Sequence, residues 1–137
     1  MKISTRGRYA LRMMLDLAEH QADGAVSLKD VAERQGISRK YLEQIVLLLN
    51  KEKMLQATRG FQGGYILAHE PKAYSVGSIL RATEGTLAIV SCIESEINEC
   101  EHCDACKTIG LWRGLTRVVN EYLDGITLQD LLDGNVG

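Results

Sequence analysis

The cysteines are the residues whose type and spacing point most directly to chemistry. All four lie within fifteen residues, in the pattern Cys92-x7-Cys100-x2-Cys103-x2-Cys106. Thiolates are soft ligands that suit zinc, copper(I) or an iron–sulfur cluster. The surrounding segment, residues 86–105, has no clear periodicity and carries five carboxylates, which is typical of a polar loop. Because buried structural cysteines do not suit such a loop, the pattern predicts a metal or redox site.

Length and composition place these cysteines in a small protein. The chain has 137 residues, of which 45% are hydrophobic and 5% aromatic, so aliphatic helices are expected to form the core. It has no long apolar run, so no membrane span is expected, and Arg12 and Asp16 interrupt the apolar residues of a would-be signal peptide. We therefore expect a cytoplasmic protein, in which clustered cysteines favour metal or redox chemistry over structural disulfides.

Charge is distributed unevenly along the chain. The net charge is −2, but residues 1–70 hold 11 Lys/Arg against 8 Asp/Glu, whereas residues 71–137 hold 5 against 10. A mildly basic N-terminal half suits contact with phosphate groups. Ordinary solvated surfaces can differ by this much, so the asymmetry supports nucleic-acid binding only weakly.

Residues 27–50 carry the pattern of a helix–turn–helix, preceded by a periodic helix over residues 5–20. Ser27 and Asp30 match a capping box that begins one helix. Gly36 suits the left-handed conformation that ends this helix, and Ser38 can cap the next one. Two short helices joined by a tight glycine turn predict a DNA-binding unit. The alternative is an αα-hairpin with a charged, solvated face.

The second helix of this motif begins with polar residues that can contact DNA. Glutamate can accept a hydrogen bond from cytosine N4, and glutamine can pair with adenine. The candidate DNA-binding residues on this helix are Ser38, Arg39, Lys40, Tyr41, Glu43 and Gln44.

A two-stranded hairpin is predicted directly after this helix, with strands over residues 54–58 and 65–68. A glycine-rich loop, residues 59–64, joins them and places Arg59 and Gly60 at its tip. Arginine is attracted into narrow minor grooves, so these two residues are further candidates for DNA contact. A glycine-rich phosphate cradle would need a helix after the loop, but a strand follows here. The pattern therefore predicts a wing.

The C-terminal half is predicted to be helical on either side of the cysteine loop. A short helix over residues 75–84 precedes the loop, and a long helix over about 107–124 and a short one capped by Thr127 follow it. The long helix carries an apolar stripe formed by Leu111, Leu115, Val118, Val119 and Tyr122, with Trp112 beside it. This stripe needs a partner, and a twofold-related copy is the simplest because such DNA readers bind paired half-sites. Packing against the first helix is the alternative.

These patterns together predict a mainly α protein. A winged helix-turn-helix DNA-binding domain is expected over residues 1–70, followed by the cysteine-rich loop and dimerisation helices over 71–137. A thiol oxidoreductase that uses Cys100 and Cys103 would need a thioredoxin-like βαβ context, which the pattern does not supply. The protein is therefore not expected to be an enzyme.

With its elements in this order, the chain resembles the IscR-type winged-helix transcriptional regulators, the Rrf-two family, over nearly its whole length. The residues that carry the resemblance are Met1–Ala10, Gly36–Ser38, Tyr41–Gln44, Arg59-Gly60, Gly63–Tyr65, Leu111-Trp112 and Ile126–Leu128. The resemblance implies a homodimer that binds a palindromic operator in double-stranded DNA. It places the helix after Ser38 in the major groove and the wing in the minor groove.

The resemblance also implies an iron–sulfur cluster that senses cluster status, redox state or nitric oxide. Its three cysteine ligands match Cys92, Cys100 and Cys106 in position, with the spacing of some members, including the nitric-oxide-sensing branch. Ile109 stands where IscR-type proteins have a histidine ligand, and Arg8 stands where part of the nitric-oxide-sensing branch has an aspartate.

The fourth ligand is therefore open. Cys103, which is additional to the three-cysteine pattern, is the leading candidate, ahead of His102, Glu101 and Asp104. A [2Fe–2S] cluster is favoured, with [4Fe–4S] or zinc as alternatives. Two other functions on the same scaffold stay open. One is a cysteine-metabolism repressor that acts through a partner protein, and the other is a zinc or thiol redox switch.

Overall fold

The computed structural model describes residues 2–60, 63–90, 93 and 107–137. Its helices are α1 (Thr5–His20), α2 (Leu28–Gln35), α3 (Arg39–Lys51), α4 (Val76–Glu84), α5 (Ile109–Asp124) and α6 (Leu128–Asp133). Strands β1 (Leu55–Thr58) and β2 (Gly64–Leu67) pair in antiparallel register directly after α3. The mainly α winged-helix fold predicted from the sequence is therefore confirmed. No helix within the described ranges is long and apolar enough to cross a membrane.

The turn between α2 and α3 forms as predicted. Gly36 adopts the left-handed conformation (φ 65°) at the end of α2, which glycine tolerates because it has no Cβ. The Ser38 hydroxyl accepts a hydrogen bond of 3.1 Å from the backbone N–H of Tyr41 and so caps α3. At the start of α2, the Ser27 hydroxyl accepts from the N–H of Asp30 in the same way. Local side-chain chemistry thus sets both helix starts.

The strands differ by one residue from the predicted ranges. Strand β1 begins at Leu55 rather than at Met54, and β2 spans Gly64–Leu67 rather than residues 65–68. Val26, which precedes α2, exchanges two backbone hydrogen bonds with Tyr65, of 2.9 and 2.8 Å. This bridge ties the wing to the start of α2 on the side of β2 away from β1.

One hydrophobic core joins the two halves of the chain. Leu17, Leu42 and Ile45 are fully buried in it, and Ile79 of α4 and Leu128 of α6 belong to the same cluster. Helices α4 and α6 therefore pack onto the helix–turn–helix through shared apolar contacts. The domain boundary at residue 70 stays a prediction.

Helix α5 is attached differently, because none of its 16 residues, all of which the structure describes, is buried. Its main polar link to α4 is Arg81. The guanidinium of Arg81 donates to both carboxylate oxygens of Asp124, at 2.7 and 2.9 Å, and to Asn120 Oδ1 at 2.6 Å. The hydrogen bonds from Arg81 hold the pKa of the Asp124 carboxyl below its usual value. This link connects the long helix to the rest of the fold.

Candidate nucleic-acid interface

A groove of about 780 Å³ lies between the start of α3, the wing and the start of α2. Three cationic side chains line it, Lys29 from α2, Arg39 from α3 and Arg59 from the wing. Glu43 is the acidic side chain of the same lining. Cations with one carboxylate suit a surface that contacts phosphates and also reads a base edge.

The recognition residues predicted on α3 fall into two groups. Ser38, Arg39, Lys40, Glu43 and Gln44 are all exposed. Tyr41 is half-buried instead, and its ring packs edge-on against Tyr9 of α1, with ring centroids 5.6 Å apart. Tyr41 therefore helps to hold α3 against α1, in addition to any contact that it makes with DNA.

The exposed face of α3 turns toward two different grooves. Glu43 lines the groove beside the wing, whereas Gln44 lines a second groove of about 620 Å³ together with Arg6, Leu47 and Lys51. Glu43 forms an ion pair of 3.7 Å with Arg39 one turn before it, and both side chains are more than half exposed. Exposed pairs of this kind contribute little to stability, so both groups are available to a ligand.

The described part of the wing places its candidate residues at the end of β1. Arg59 and Gly60 are both exposed. Gly60 adopts a φ of 111°, which a residue with a side chain rarely adopts. The N–H of Gly63 donates to the Gly60 carbonyl at 2.9 Å and closes the turn. Glycine at position 60 thus allows the backbone turn that follows Arg59, and Arg59 itself lines the groove.

Three residues that were not predicted to contact DNA also line the groove, Lys29, Thr58 and Tyr65. Lys29 lies between Ser27 and Asp30 of the predicted capping box, and that pattern does not mark it as a DNA contact. Its place in the groove depends on the wing folding back toward α2, which the Val26–Tyr65 bridge brings about. The sequence offered one signal for Lys29 as a DNA contact: it is a cationic side chain at a predicted helix start in the basic half of the chain.

The predicted metal ligands lie outside the described residues. This applies to Cys92, Cys100, Cys103 and Cys106, and also to His102, Glu101 and Asp104. The ligand set therefore stays a prediction. Ile109, at the position where IscR-type proteins have a histidine, is the first residue of α5.

The flanks of the cysteine segment make defined contacts. Before the cysteines, the N–H of Ile89 donates to the Thr116 hydroxyl of α5 at 3.2 Å. Further back, the Glu84 carboxylate at the end of α4 accepts hydrogen bonds from the Ser4 hydroxyl and, at 3.0 Å, from the Ser4 N–H. A chain of contacts therefore joins α5, the cysteine flank, α4 and the start of α1.

Comparison with known proteins is consistent with this arrangement. The family model of Rrf2 (Rrf-two), described as an iron-dependent transcriptional regulator, matches residues 3–134. The chain belongs to the Rrf2 family. It is 39% identical over 133 residues to the HTH-type transcriptional regulator IscR of Yersinia enterocolitica, an alignment that covers 97% of this chain and 80% of the relative.

Two solved structures are similar in fold and sequence. The IscR of T. potens has a TM-score of 0.76 and 38% identity, with 99% of this chain and 89% of that one covered. The global cysteine regulator CymR of B. subtilis has a TM-score of 0.77 and 37% identity, with coverages of 96% and 95%. The chain is thus a transcriptional regulator of the Rrf2/IscR type and not an enzyme, as predicted from its sequence.

Proposed function

We propose that the protein is a homodimeric regulator that binds a palindromic operator and responds to a cysteine-ligated iron–sulfur cluster. The observation that carries the DNA-binding part is the groove beside the wing. There Arg39, Glu43 and Arg59 line the same groove, and all three side chains are exposed. Helix α3 would enter the major groove with Glu43 at a cytosine, and Arg59 would enter the adjacent minor groove.

The exposed stripe of α5 supports the dimer. Four large apolar side chains recur along one face of the helix, with exposed fractions of 61% for Leu111, 40% for Leu115, 55% for Val118 and 60% for Tyr122. A continuous apolar face of this kind marks an interaction surface. A second copy would bury it in a twofold seam and place two α3 helices on the two half-sites of a palindrome.

The donor set fits an iron–sulfur cluster. Four thiolates in fifteen residues supply the ligands that such clusters take, and a [2Fe–2S] cluster is favoured over [4Fe–4S] and zinc. When bound, a cluster supplies a centre that changes charge or is lost under oxidation or nitric oxide. Cys92, Cys100 and Cys106 would hold it, with Cys103 as the fourth ligand.

The chain's own contacts offer a route from the cysteines to the DNA surface. Ile89 binds Thr116 of α5, and α5 binds α4 through Arg81. A rearrangement of residues 92–106 would therefore bear on α5, which we propose also sets the spacing of the two protomers. Such a change alters transcription only if the two states differ in their affinity for DNA.

A second candidate is a repressor of cysteine metabolism that acts through a partner protein. The similarity to CymR over 96% of this chain favours it. Under this alternative the DNA surface is the same, but regulation comes from a bound protein. The iron content of the protein distinguishes the two candidates.

Changing Arg59 to Ala should weaken binding to every duplex. The side chain is exposed at the wing, so its loss removes one phosphate or minor-groove contact without disturbing the core. We expect the slope of log K against log salt to become shallower by about 1. Fluorescence anisotropy at four salt concentrations measures this slope. If the variant has the same affinity and salt slope as the parent, Arg59 does not contact DNA.

Changing Glu43 to Ala should relax base preference. The carboxylate is the acceptor in the groove that can select cytosine, and such base contacts are worth about 1–3 kcal/mol of discrimination. Affinity for a scrambled duplex should hold or rise slightly, since a negative charge is removed. Competition between the target and single-base variants of it measures the effect. If Glu43→Ala discriminates like the parent, the assigned reading face of α3 is wrong.

A further inference from the structure

A buried carboxylate on α1 makes contacts that the proposed function does not use. Asp16 is 1% exposed in a helix face that otherwise buries Met13, Met14 and Leu17. An unpaired charge at such a site would be strongly unfavourable, so its partners must account for it. Among the described residues, the side chains that donate hydrogen bonds to this carboxylate come from the last two residues of α2. His20, one turn further along α1, places its Nδ1 3.7 Å from Asp16 Oδ1.

The partners converge on both oxygens of Asp16. Arg34 donates through Nη2 to Oδ1 at 2.8 Å and through Nε to Oδ2 at 3.0 Å, a bidentate geometry. Gln35 donates through Nε2 to Oδ2 at 2.9 Å. Burial raises the pKa of Asp16, but the hydrogen bonds from Arg34 and Gln35 and the charge of Arg34 outweigh it, so the pKa lies below its usual value. The carboxylate is therefore ionised at neutral pH.

A second α1 residue holds the same end of α2. Arg12 donates through Nε to the Gln35 side-chain oxygen at 3.1 Å and through Nη2 to the Gln35 backbone carbonyl. Gln35 is the last residue of α2, directly before the left-handed Gly36. Both the side chain and the backbone of the residue that enters the turn are thus bound to α1. We refer to the following four residues as the α1–α2 clamp: Arg12, Asp16, Arg34 and Gln35.

The clamp continues across the turn to α3. The Arg12 guanidinium lies over the Tyr9 ring, with 5.3 Å from Cζ to the ring centroid. Tyr9 in turn packs edge-on against Tyr41 in the first turn of α3. Helix α1 therefore contacts the chain on both sides of the helix–turn–helix corner. Directional hydrogen bonds restrict the rotation of a helix in a way that apolar packing alone does not.

We propose that the α1–α2 clamp positions the recognition helix for base readout. Phosphate contacts tolerate small shifts of a protein on DNA, whereas base-edge hydrogen bonds do not. If the turn between α2 and α3 is held less firmly, affinity for the target sequence should therefore fall more than affinity for unrelated sequences. This inference rests on the proposal that α3 reads DNA, and its test separates the two.

Two variants test the clamp. Asp16→Asn keeps the size of the side chain but removes its charge and one acceptor. Arg12→Lys keeps the positive charge at an exposed position but cannot bind both Gln35 oxygens in the same fork geometry. Val76→Ala, in a smaller apolar cluster that α4 forms with Leu87 apart from the main core, is the control for a loss of stability alone.

The measurement compares two duplexes. One is a target selected from a random pool by the parent protein, and the other is its scrambled sequence; affinities are read by anisotropy at a temperature where all variants are folded. We expect both clamp variants to raise Kd for the target by about tenfold or more, with Kd for the scrambled duplex within about twofold of the parent. Val76→Ala should keep the parent's ratio of the two Kd values.

Other results would overturn the inference. If both clamp variants keep the parent's ratio, the clamp has a stabilising role only. A third variant, Arg12→Met, removes the positive charge. If it weakens binding to both duplexes and Arg12→Lys restores that binding, Arg12 is a phosphate contact and not a positioning residue. If the parent itself does not distinguish the two duplexes, the proposal that α3 reads bases fails, and the inference fails with it.

Discussion

Replacing Leu115 by aspartate should convert the protein from a dimer to a monomer. Leu115 lies in the middle of the exposed apolar stripe of α5, with an exposed fraction of 40%. In a twofold seam the new carboxylate would face apolar side chains of the second copy and lose its hydration, which is strongly unfavourable. Light scattering coupled to size exclusion reports the mass directly.

Leu115→Asp should weaken DNA binding more than the loss of any single side chain that contacts DNA. Two linked recognition helices gain affinity because the second half-site binds at a high effective concentration, an advantage of about 10²–10⁴. A monomer loses it, so we expect Kd for a palindromic duplex to rise by at least about 100-fold. Kd for a single half-site should change little.

The matched control introduces the same charge elsewhere. Val136 is also exposed and apolar, but it lies near the end of the chain, outside the α5 stripe. Val136→Asp should remain dimeric and bind the palindrome like the parent. A dimeric Leu115→Asp variant, or a parent that is already monomeric, would contradict the proposed seam.

Replacing Cys103 by serine should remove most of the bound iron. If Cys103 is the fourth ligand, serine leaves the site with three thiolates and a harder oxygen donor. Even residues that only support a ligand are worth about tenfold or more in metal affinity, so a lost ligand should weaken cluster binding by at least that factor. We therefore expect most of the iron to be lost during anaerobic purification and desalting. Iron and acid-labile sulfide assays measure this loss.

A control substitution at the neighbouring position tests whether the loss of iron is specific to Cys103. His102→Ala removes the adjacent alternative ligand and should leave the iron content unchanged. The opposite pattern, with iron retained in Cys103→Ser and lost in His102→Ala, would identify the histidine as the fourth ligand. Cys92→Ser, Cys100→Ser and Cys106→Ser should each lose the cluster in either case.

The helices were predictable because local chemistry determines their ends. Ser38 caps α3 and Thr127 caps α6 as their sequence positions indicated, and Thr127 forms a reciprocal capping box with Asp130. Gly36 adopts the predicted left-handed turn. Each of these features depends on residues no more than about five positions apart, and such short-range patterns are readable without tertiary structure.

Features that depend on distant contacts were not predictable. The bridge between Val26 and Tyr65 joins segments 39 positions apart and carries no side-chain signature. In the sequence, Asp16 served only as evidence against a signal peptide, and only the folded chain brings Arg34 and Gln35 to it. The packing of the Tyr41 ring on Tyr9 was not predicted either, because it depends on how α1 crosses α3. The contact of Tyr41 with DNA stays a prediction.

The DNA-contact surface and the cysteine site were predictable to different extents. The exposed residues of α3 and the wing follow from the helix–turn–helix pattern, whereas Lys29 joins them only through the folded groove. For the cysteines, spacing and residue type indicate a soft metal site, but spacing does not distinguish [2Fe–2S] from [4Fe–4S] or zinc. The proposal of cluster sensing therefore depends on chemical analysis of the purified protein.

The most direct test of the account compares the anaerobically purified protein with the same protein after chelation. We predict a coloured protein that contains iron and acid-labile sulfide, and a change of at least about fivefold in Kd for the selected palindromic duplex when the cluster is removed. A colourless, iron-free protein that resists reconstitution would contradict the account. Loaded and stripped forms that bind the duplex with equal affinity would contradict it as well.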